Sequence, residues 1–164
     1  MKRAFTPWRM EYILSDKQAG CIFCAMCDAD DDREQLIVHR GECAFIVLNR
    51  YPYNNGHFMV VPYRHVATPE ALAAEEMVDL MALVVLGMSS LREAMRPDGF
   101  NIGANIGAAA GAGVKDHFHL HVVPRWSGDN NFMAAIGNVK LIPQMLAETR
   151  DQLAAVIQTR TESR

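Results

Sequence analysis

The sequence predicts an α+β domain in which an antiparallel sheet of about five strands packs against two main helices. Three observations carry that prediction. Short apolar runs of strand length, rich in branched residues, recur with turn signals between them. Two longer segments place apolar residues at helical spacing. The order along the chain is strands, helix, strands, helix, which suits a sheet with antiparallel neighbours.

Leu36-Ile37-Val38 and Ala44-Phe45-Ile46-Val47-Leu48 are the first two strands. Asn49 to His57, with Pro52 and Asn54-Asn55-Gly56, leads on to Phe58-Met59-Val60-Val61. Asn-Gly tolerates positive φ, so this segment reads as a hairpin with a long loop. Thr68 caps a helix and Pro69 enters its first turn. Leu80, Val84, Met88 and Leu91 mark the inner face as far as Met95, where Pro97-Asp98-Gly99 stops it. Phe100 to Ile106 and His117 to Val123 supply two more strands. Pro143 lies near the start of a last helix, over about residues 141–160, with Leu146, Leu153 and Ile157 inward.

A chain of 164 residues is one domain by length. At that size ~70% of the unfolded surface is buried, enough for a core without disulfides. A formal net charge of −3 argues against a basic face that coats nucleic acid or membrane, yet leaves a single nucleotide open as ligand. No apolar signal region follows Met1-Lys2-Arg3. The most hydrophobic window, Leu80 to Leu91, is twelve residues long, and a membrane span needs about 20. The expected location is the cytoplasm. Asp28, Asp30, Asp31, Asp32 and Glu34 read as a solvated loop.

Asp116-His117-Phe118-His119-Leu120-His121-Val122-Val123-Pro124 is the most informative stretch. Alternation along a strand puts His117, His119 and His121 on one face and Phe118, Leu120 and Val122 on the other. Packing alone gives little reason for three histidines in strict alternation. Two chemistries fit: a metal site built on His-x-His, or phosphoryl transfer with a neutral imidazole attacking phosphorus. The preceding segment, Asn101 to Gly107 and then Ala108 to Gly113, is rich in glycine and small residues. Backbone N–H groups can approach an anion closely there, which favours phosphate.

This stretch resembles the signature of the histidine triad (HIT) nucleotide-binding family, His-x-His-x-His followed by apolar residues. The resemblance runs from Trp8-Arg9-Met10 to the last helix. It leans toward the diadenosine tetraphosphate phosphorylase branch through Asn49 to His57, Ala110-Gly111-Ala112-Gly113, Val123 to Asp129, and Asn131-Phe132-Met133. It implies a HIT-like fold over residues 1–164 and a homodimer. It also implies that His119 is the nucleophile, attacking the α-phosphorus to form a nucleotidyl-imidazole. His121, His117 and His57 complete the catalytic set, with His121 and His57 on phosphate oxygens or the leaving group. Asn49 matches the ribose-binding position and Asn105 a residue facing the phosphates; Gly111, Gly113 and Trp126 fall among the nucleotide-binding positions. A neutral His119 further needs an acceptor for its other ring nitrogen.

One departure bears on the reaction. Hydrolase members follow their Ala-Gly pair with glutamine and a hydroxyl residue. Here Ala110-Gly111 is followed by Ala112-Gly113-Val114-Lys115 and one extra residue before His117, so those phosphate contacts are missing. Lys115 fits either an anion contact or a solvated charge. The expected reaction is phosphorolysis of diadenosine tetraphosphate to ATP and ADP. Hydrolysis of dinucleoside polyphosphates or phosphoramidates is the alternative, and a non-catalytic nucleotide- or zinc-binding protein is a second.

Cys21-Ile22-Phe23-Cys24 has the spacing of half a zinc site, within a cysteine knuckle over about residues 19–28. Plain reduced thiols fit it too. Family relatives complete such a site with histidines matching His65 and His117, which implies structural zinc on Cys21, Cys24, His65 and His117. Cys27 extends the run toward an iron–sulfur pattern, but the distant Cys43 and the absence of a following Cys-Pro speak against that.

Overall fold

The computed structural model describes residues 20–129 and 142–162. Trp8-Arg9-Met10, Asn131-Phe132-Met133 and the start of the predicted last helix at Leu141 lie outside the described residues.

In chain order the elements are α1 (Ile22–Cys27), β1 (Ile37–Arg40), β2 (Ala44–Leu48), β3 (Phe58–Pro62), α2 (Ala74–Met95), β4 (Gly99–Gly103), β5 (Leu120–Arg125) and α3 (Leu146–Glu162). The strands form one five-stranded sheet in the order β1-β2-β3-β5-β4. Every neighbouring pair is antiparallel. Helix α2 packs on β2 and β3, and α3 packs on α2 and β1.

β2 and β3 are buried along their whole length, which is why unbroken apolar runs marked them in the sequence. The hairpin between them turns at Gly56, whose φ of +76° suits glycine. Gly87 is where α2 comes closest to the sheet: a Cβ there would stand 2.5 Å from the Phe58 ring. Leu80, Leu83, Val84 and Leu91 surround that contact in the core.

Five boundaries differ from the sequence expectation. Pro69 starts a short 3-10 turn, Pro69–Ala71, and α2 begins only at Ala74. Thr68 makes no side-chain cap there; instead the Glu76 carboxylate accepts the Ala73 N–H at 2.7 Å. Leu36 falls outside β1 with φ +62°; its carbonyl still accepts the Leu48 N–H at 3.0 Å, and the residue lines a cavity. β4 ends at Gly103 rather than Ile106. β5 begins at Leu120, because the residues before it are held elsewhere: the Phe118 N–H donates to the Val66 carbonyl at 2.6 Å. α3 begins at Leu146, with Leu153 and Ile157 buried and Leu146 partly so.

The acidic segment is exposed at Asp28, Asp30, Asp31 and Glu34, as expected of a solvated loop. Asp32 is the exception, paired with Arg40 at 2.8 Å. No helix among the described residues is long and apolar enough to cross a membrane.

Candidate active site and metal centre

A cavity of about 430 Å³ opens on the sheet face away from α2. Its lining combines apolar side chains, Ile22, Phe23 and Met26 of α1 with Leu36 and Leu48, and polar ones, among them Asn49, Arg50, Asn105, His119 and His121. No carboxylate lines it among the described residues. Such a lining suits a ligand with both a flat apolar part and an anionic one.

The histidines around it are held in defined tautomers. A carbonyl only accepts, so the 2.8 Å contact between His119 Nδ1 and the His117 carbonyl is an N–H donation. Neutral His119 then carries its lone pair on Nε2. Burial pushes its pKa below the ordinary histidine value, against the pull of that carbonyl, which favours the charged ring. The second chain of bonds starts at the Tyr53 backbone N–H, which donates to His57 Nδ1 at 3.1 Å. With Nδ1 accepting, His57 holds its proton on Nε2 and donates to His121 Nδ1 at 3.0 Å. Neutral His121 consequently bears its proton on Nε2. The two rings meet edge to face with centroids 4.9 Å apart. One presents a lone pair and the other a proton.

The remaining triad histidine faces the cysteines. His117 donates from Nε2 to the Pro62 carbonyl at 2.9 Å. Its Nδ1 lies 3.2 Å from Cys21 Sγ and 3.7 Å from Cys24 Sγ, and Cys24 Sγ is 3.3 Å from His65 Nδ1. The ligand atoms of these four residues all lie within 4.8 Å of one another. Tetrahedral zinc with ordinary bond lengths sets sulfur and nitrogen about 3.5 Å apart. The four residues fit that ion, and Pro62 supplies the outer carbonyl that orients a ligating histidine. Burial first, and then Cys21, pushes the Cys24 thiol up to about 11, so a cation is what draws the proton off. Four protein ligands close the coordination sphere, and such a zinc acts structurally. Cys27 and Cys43 stand outside the cluster among the described residues.

A HIT domain is matched over residues 31–128 of the chain. The chain belongs to the HIT family. An AP-4-A phosphorylase from Mycobacterium tuberculosis H37Rv is similar to this HIT protein at 42% identity, over 94% of this chain and 83% of that relative. A zinc-bound histidine triad family protein from Mycobacterium smegmatis superposes with a TM-score of 0.72 at 26% identity, covering 88% of this chain and 98% of that one. A HIT family protein from Bacillus anthracis does so with a TM-score of 0.61 at 26% identity, covering 89% and 98%. The α+β reading of the sequence is thus the HIT fold, and the cysteine–histidine cluster is consistent with structural zinc.

The geometry sorts the residues expected in the site of this HIT protein. His119, His121, Asn49, Asn105 and Gly113 line one cavity. His57 does not reach it: the ring is 1% exposed, stacked under Tyr53 and behind His121. Its Nε2 meets His121 Nδ1 from behind. His117 is turned away as well, since its Nδ1 faces the cysteines and its Nε2 is bound to the Pro62 carbonyl. Trp126 donates its indole N–H to the Met95 carbonyl at 3.3 Å, and neither it nor Gly111 lines the cavity in this chain. Sequence reasoning gave no role to the apolar wall, Ile22, Phe23, Met26, Leu36 and Leu48, because such residues look like ordinary core. It also gave none to Arg50, although that residue sits in a quoted motif.

His57 carries a pH prediction. Burial, then His121 and His119, lowers its pKa from 6.5 to about 3. Between those values the unfolded chain binds more protons than the folded one, so stability is present above about pH 6.5 and lost as pH falls toward 3. One histidine contributes at most about 1.4 kcal/mol per pH unit to that slope. Urea unfolding of wild type and His57→Gln across this range measures the difference. A shallower slope in the variant is expected, and identical slopes would contradict the assignment.

Proposed function

We propose that this protein is a nucleotidyltransferase that splits diadenosine tetraphosphate with phosphate to give ATP and ADP. The observation that carries the reading is the pair of fixed tautomers, a lone pair on His119 Nε2 beside a proton on His121 Nε2. The kinship with an AP-4-A phosphorylase at 42% identity supports the substrate. The missing hydrolase residues after Ala110-Gly111 support phosphate over water as acceptor.

In the first half-reaction His119 Nε2 attacks the α-phosphorus, and the P–O bond to the departing triphosphate breaks. The electron pair goes to the leaving oxygen, which accepts a hydrogen bond from the His121 Nε2–H. In the second half, a phosphate oxygen attacks the same phosphorus while His121 keeps its proton. The P–N bond breaks and His119 is neutral again. The apolar wall built by α1, Leu36 and Leu48 receives the base, Asn49 the ribose, and Asn105 with the Gly113 segment the phosphates. His57 acts only through His121, by keeping its Nδ1 an acceptor.

The same reading takes residues 1–164 as one HIT domain, with the cysteine knuckle as one wall of its site. It makes the protein a homodimer joined through the sheet edge and a helix face. β4 is an edge strand with Ile102 47% exposed, and α2 leaves Val78, Met81 and Val85 exposed in a stripe on its outer side. Reduced thiols as metal ligands support a cytoplasmic location.

The covalent step is tested by mixing the protein with substrate labelled in the α-phosphate and quenching in base. A label bound through nitrogen survives base and is released by acid. Recovery of such a label at about one per chain is expected; no protein-bound label under any quench would contradict the covalent route.

A further inference from the structure

Two consecutive residues, Gln35 and Leu36, line the cavity of the active site. In an extended strand neighbours point to opposite faces, so such a pair on one cavity needs a break in the chain direction. Leu36 supplies it. Asp31 to Gln35 make one helical turn, with the Gln35 N–H donating to the Asp31 carbonyl at 3.1 Å. The turn closes as the Leu36 N–H donates to the Arg33 carbonyl at 3.2 Å and the Ile37 N–H to the Asp32 carbonyl at 2.7 Å. That pair of bonds is the closing pattern of a helix C-terminus, whose left-handed residue is ordinarily glycine. Here it is a leucine with φ +62°. A bulky side chain in that conformation is strained, and such residues cluster at binding sites, where the rest of the fold holds them.

The Leu36 carbonyl accepts the Leu48 N–H at 3.0 Å, which brings the two leucines of the apolar wall together, one residue before Asn49. Gln35 precedes them directly. It is half-buried, and its side-chain amide makes no hydrogen bond to the described residues. The other polar side chains of the lining are engaged or lack an acceptor. Asn49 Oδ1 accepts the Tyr51 N–H at 2.9 Å, Tyr53 stacks on His57, and Asn105, His119 and His121 belong with the phosphates. Arg50 is a donor only. Gln35 therefore offers the lining an uncommitted acceptor beside an uncommitted donor, next to the wall that receives the base.

We propose that Gln35 selects the base of the bound nucleotide: its amide oxygen accepts from the 6-amino group of an adenine seated against Leu36, and its amide nitrogen donates to the ring nitrogen beside that group. This rests on the nucleotidyl-transfer reading of the cavity. Glutamine and adenine match because each presents one donor next to one acceptor. A base without the amino group loses the bond to the amide oxygen. The left-handed turn at Leu36 puts the amide and the leucine on the same cavity, so its strain serves recognition of the base.

The test reads binding rather than turnover. AMP and purine riboside 5′-monophosphate, which is AMP without its 6-amino group, are titrated calorimetrically into the full-length protein. Wild type is compared with Gln35→Leu, Gln35→Glu and Leu36→Gly. Wild type is expected to bind AMP at least about fivefold more tightly than the analogue. Leucine at 35 removes acceptor and donor together and should bring that ratio to about one. Glutamate keeps the acceptor and loses the donor, so both nucleotides bind more weakly while the preference for AMP survives. Glycine at 36 keeps the left-handed turn and removes part of the wall, so both affinities fall by the same factor. The ratio is the decisive reading, because a cavity that is merely damaged weakens both ligands alike. Equal binding of the two nucleotides by wild type, or an unchanged ratio in Gln35→Leu, would overturn the role of Gln35 and leave the nucleotide reading in place. Failure of wild type to bind either would sink that reading and the base selection with it.

Discussion

Substituting asparagine for His119 is expected to lower turnover of diadenosine tetraphosphate by at least about 10⁴-fold, the scale of losing a covalent nucleophile. Asparagine preserves a polar side chain at the same place but offers no basic ring nitrogen. AMP affinity should change by no more than a few-fold, because asparagine keeps a polar side chain beside Phe23 and leaves the apolar wall in place. Steady-state kinetics together with AMP titration make the check. Turnover within tenfold of wild type would remove His119 from the nucleophile's role. A parallel loss of AMP binding would mean that the substitution has damaged the cavity instead.

The second large effect is expected on metal removal. Cys21 and Cys24 flank Phe23, whose buried ring contacts both His117 and His119, with centroids 5.4 and 5.0 Å away. His117 in turn holds the proton of His119 through its carbonyl. Zinc in this position ties α1, the His65 segment and the triad together, although it takes no part in the chemistry. Chelation, or Cys24→Ala, should cost on the order of 5 kcal/mol, less than zinc contributes to peptides that fold only around it. For a chain of this size that is a drop of about 10–20 °C in Tm. AMP affinity should fall as well, since α1 is the wall of the cavity. Metal analysis with calorimetry decides the matter: one zinc per wild-type chain and none in Cys24→Ala are expected. Zinc persisting in Cys24→Ala would place it on the triad, and an unchanged Tm without metal would deny it a structural role.

How far the sequence could be read depends on what each element relies on. β2 and β3 are buried on both faces, so local apolar runs identified them to within one residue. The Asn55-Gly56 turn was legible because positive φ leaves a local chemical mark. The start of β5 was not. Strand alternation from His117 assumes a continuous ladder, whereas the Val66 and Pro62 carbonyls hold that stretch from another part of the chain. The beginning of α2 was missed for a related reason: Thr68-Pro69 is a sound helix start, and Glu76 supplies the actual cap after a short break.

At the site, the histidine pattern and Cys-x-x-Cys named the residues, and the resemblance to a family named their chemistry. Neither could set the tautomers. Those follow from a backbone carbonyl two residues away and from a hairpin N–H reaching His57, both products of tertiary structure. The resemblance implied His57 on phosphate oxygens or orienting the leaving group; its burial behind His121 was not legible in the sequence. The apolar wall left no mark, since a base pocket and a core draw on the same residue types.

Phosphorolysis through His119 is tested most directly by the products formed from diadenosine tetraphosphate with and without inorganic phosphate. With phosphate, ATP and ADP in equal amounts are expected, and without it at most one ATP per active site, released as His119 is loaded. Sustained formation of AMP and ATP at the same rate in both conditions would contradict phosphorolysis and make the protein a hydrolase.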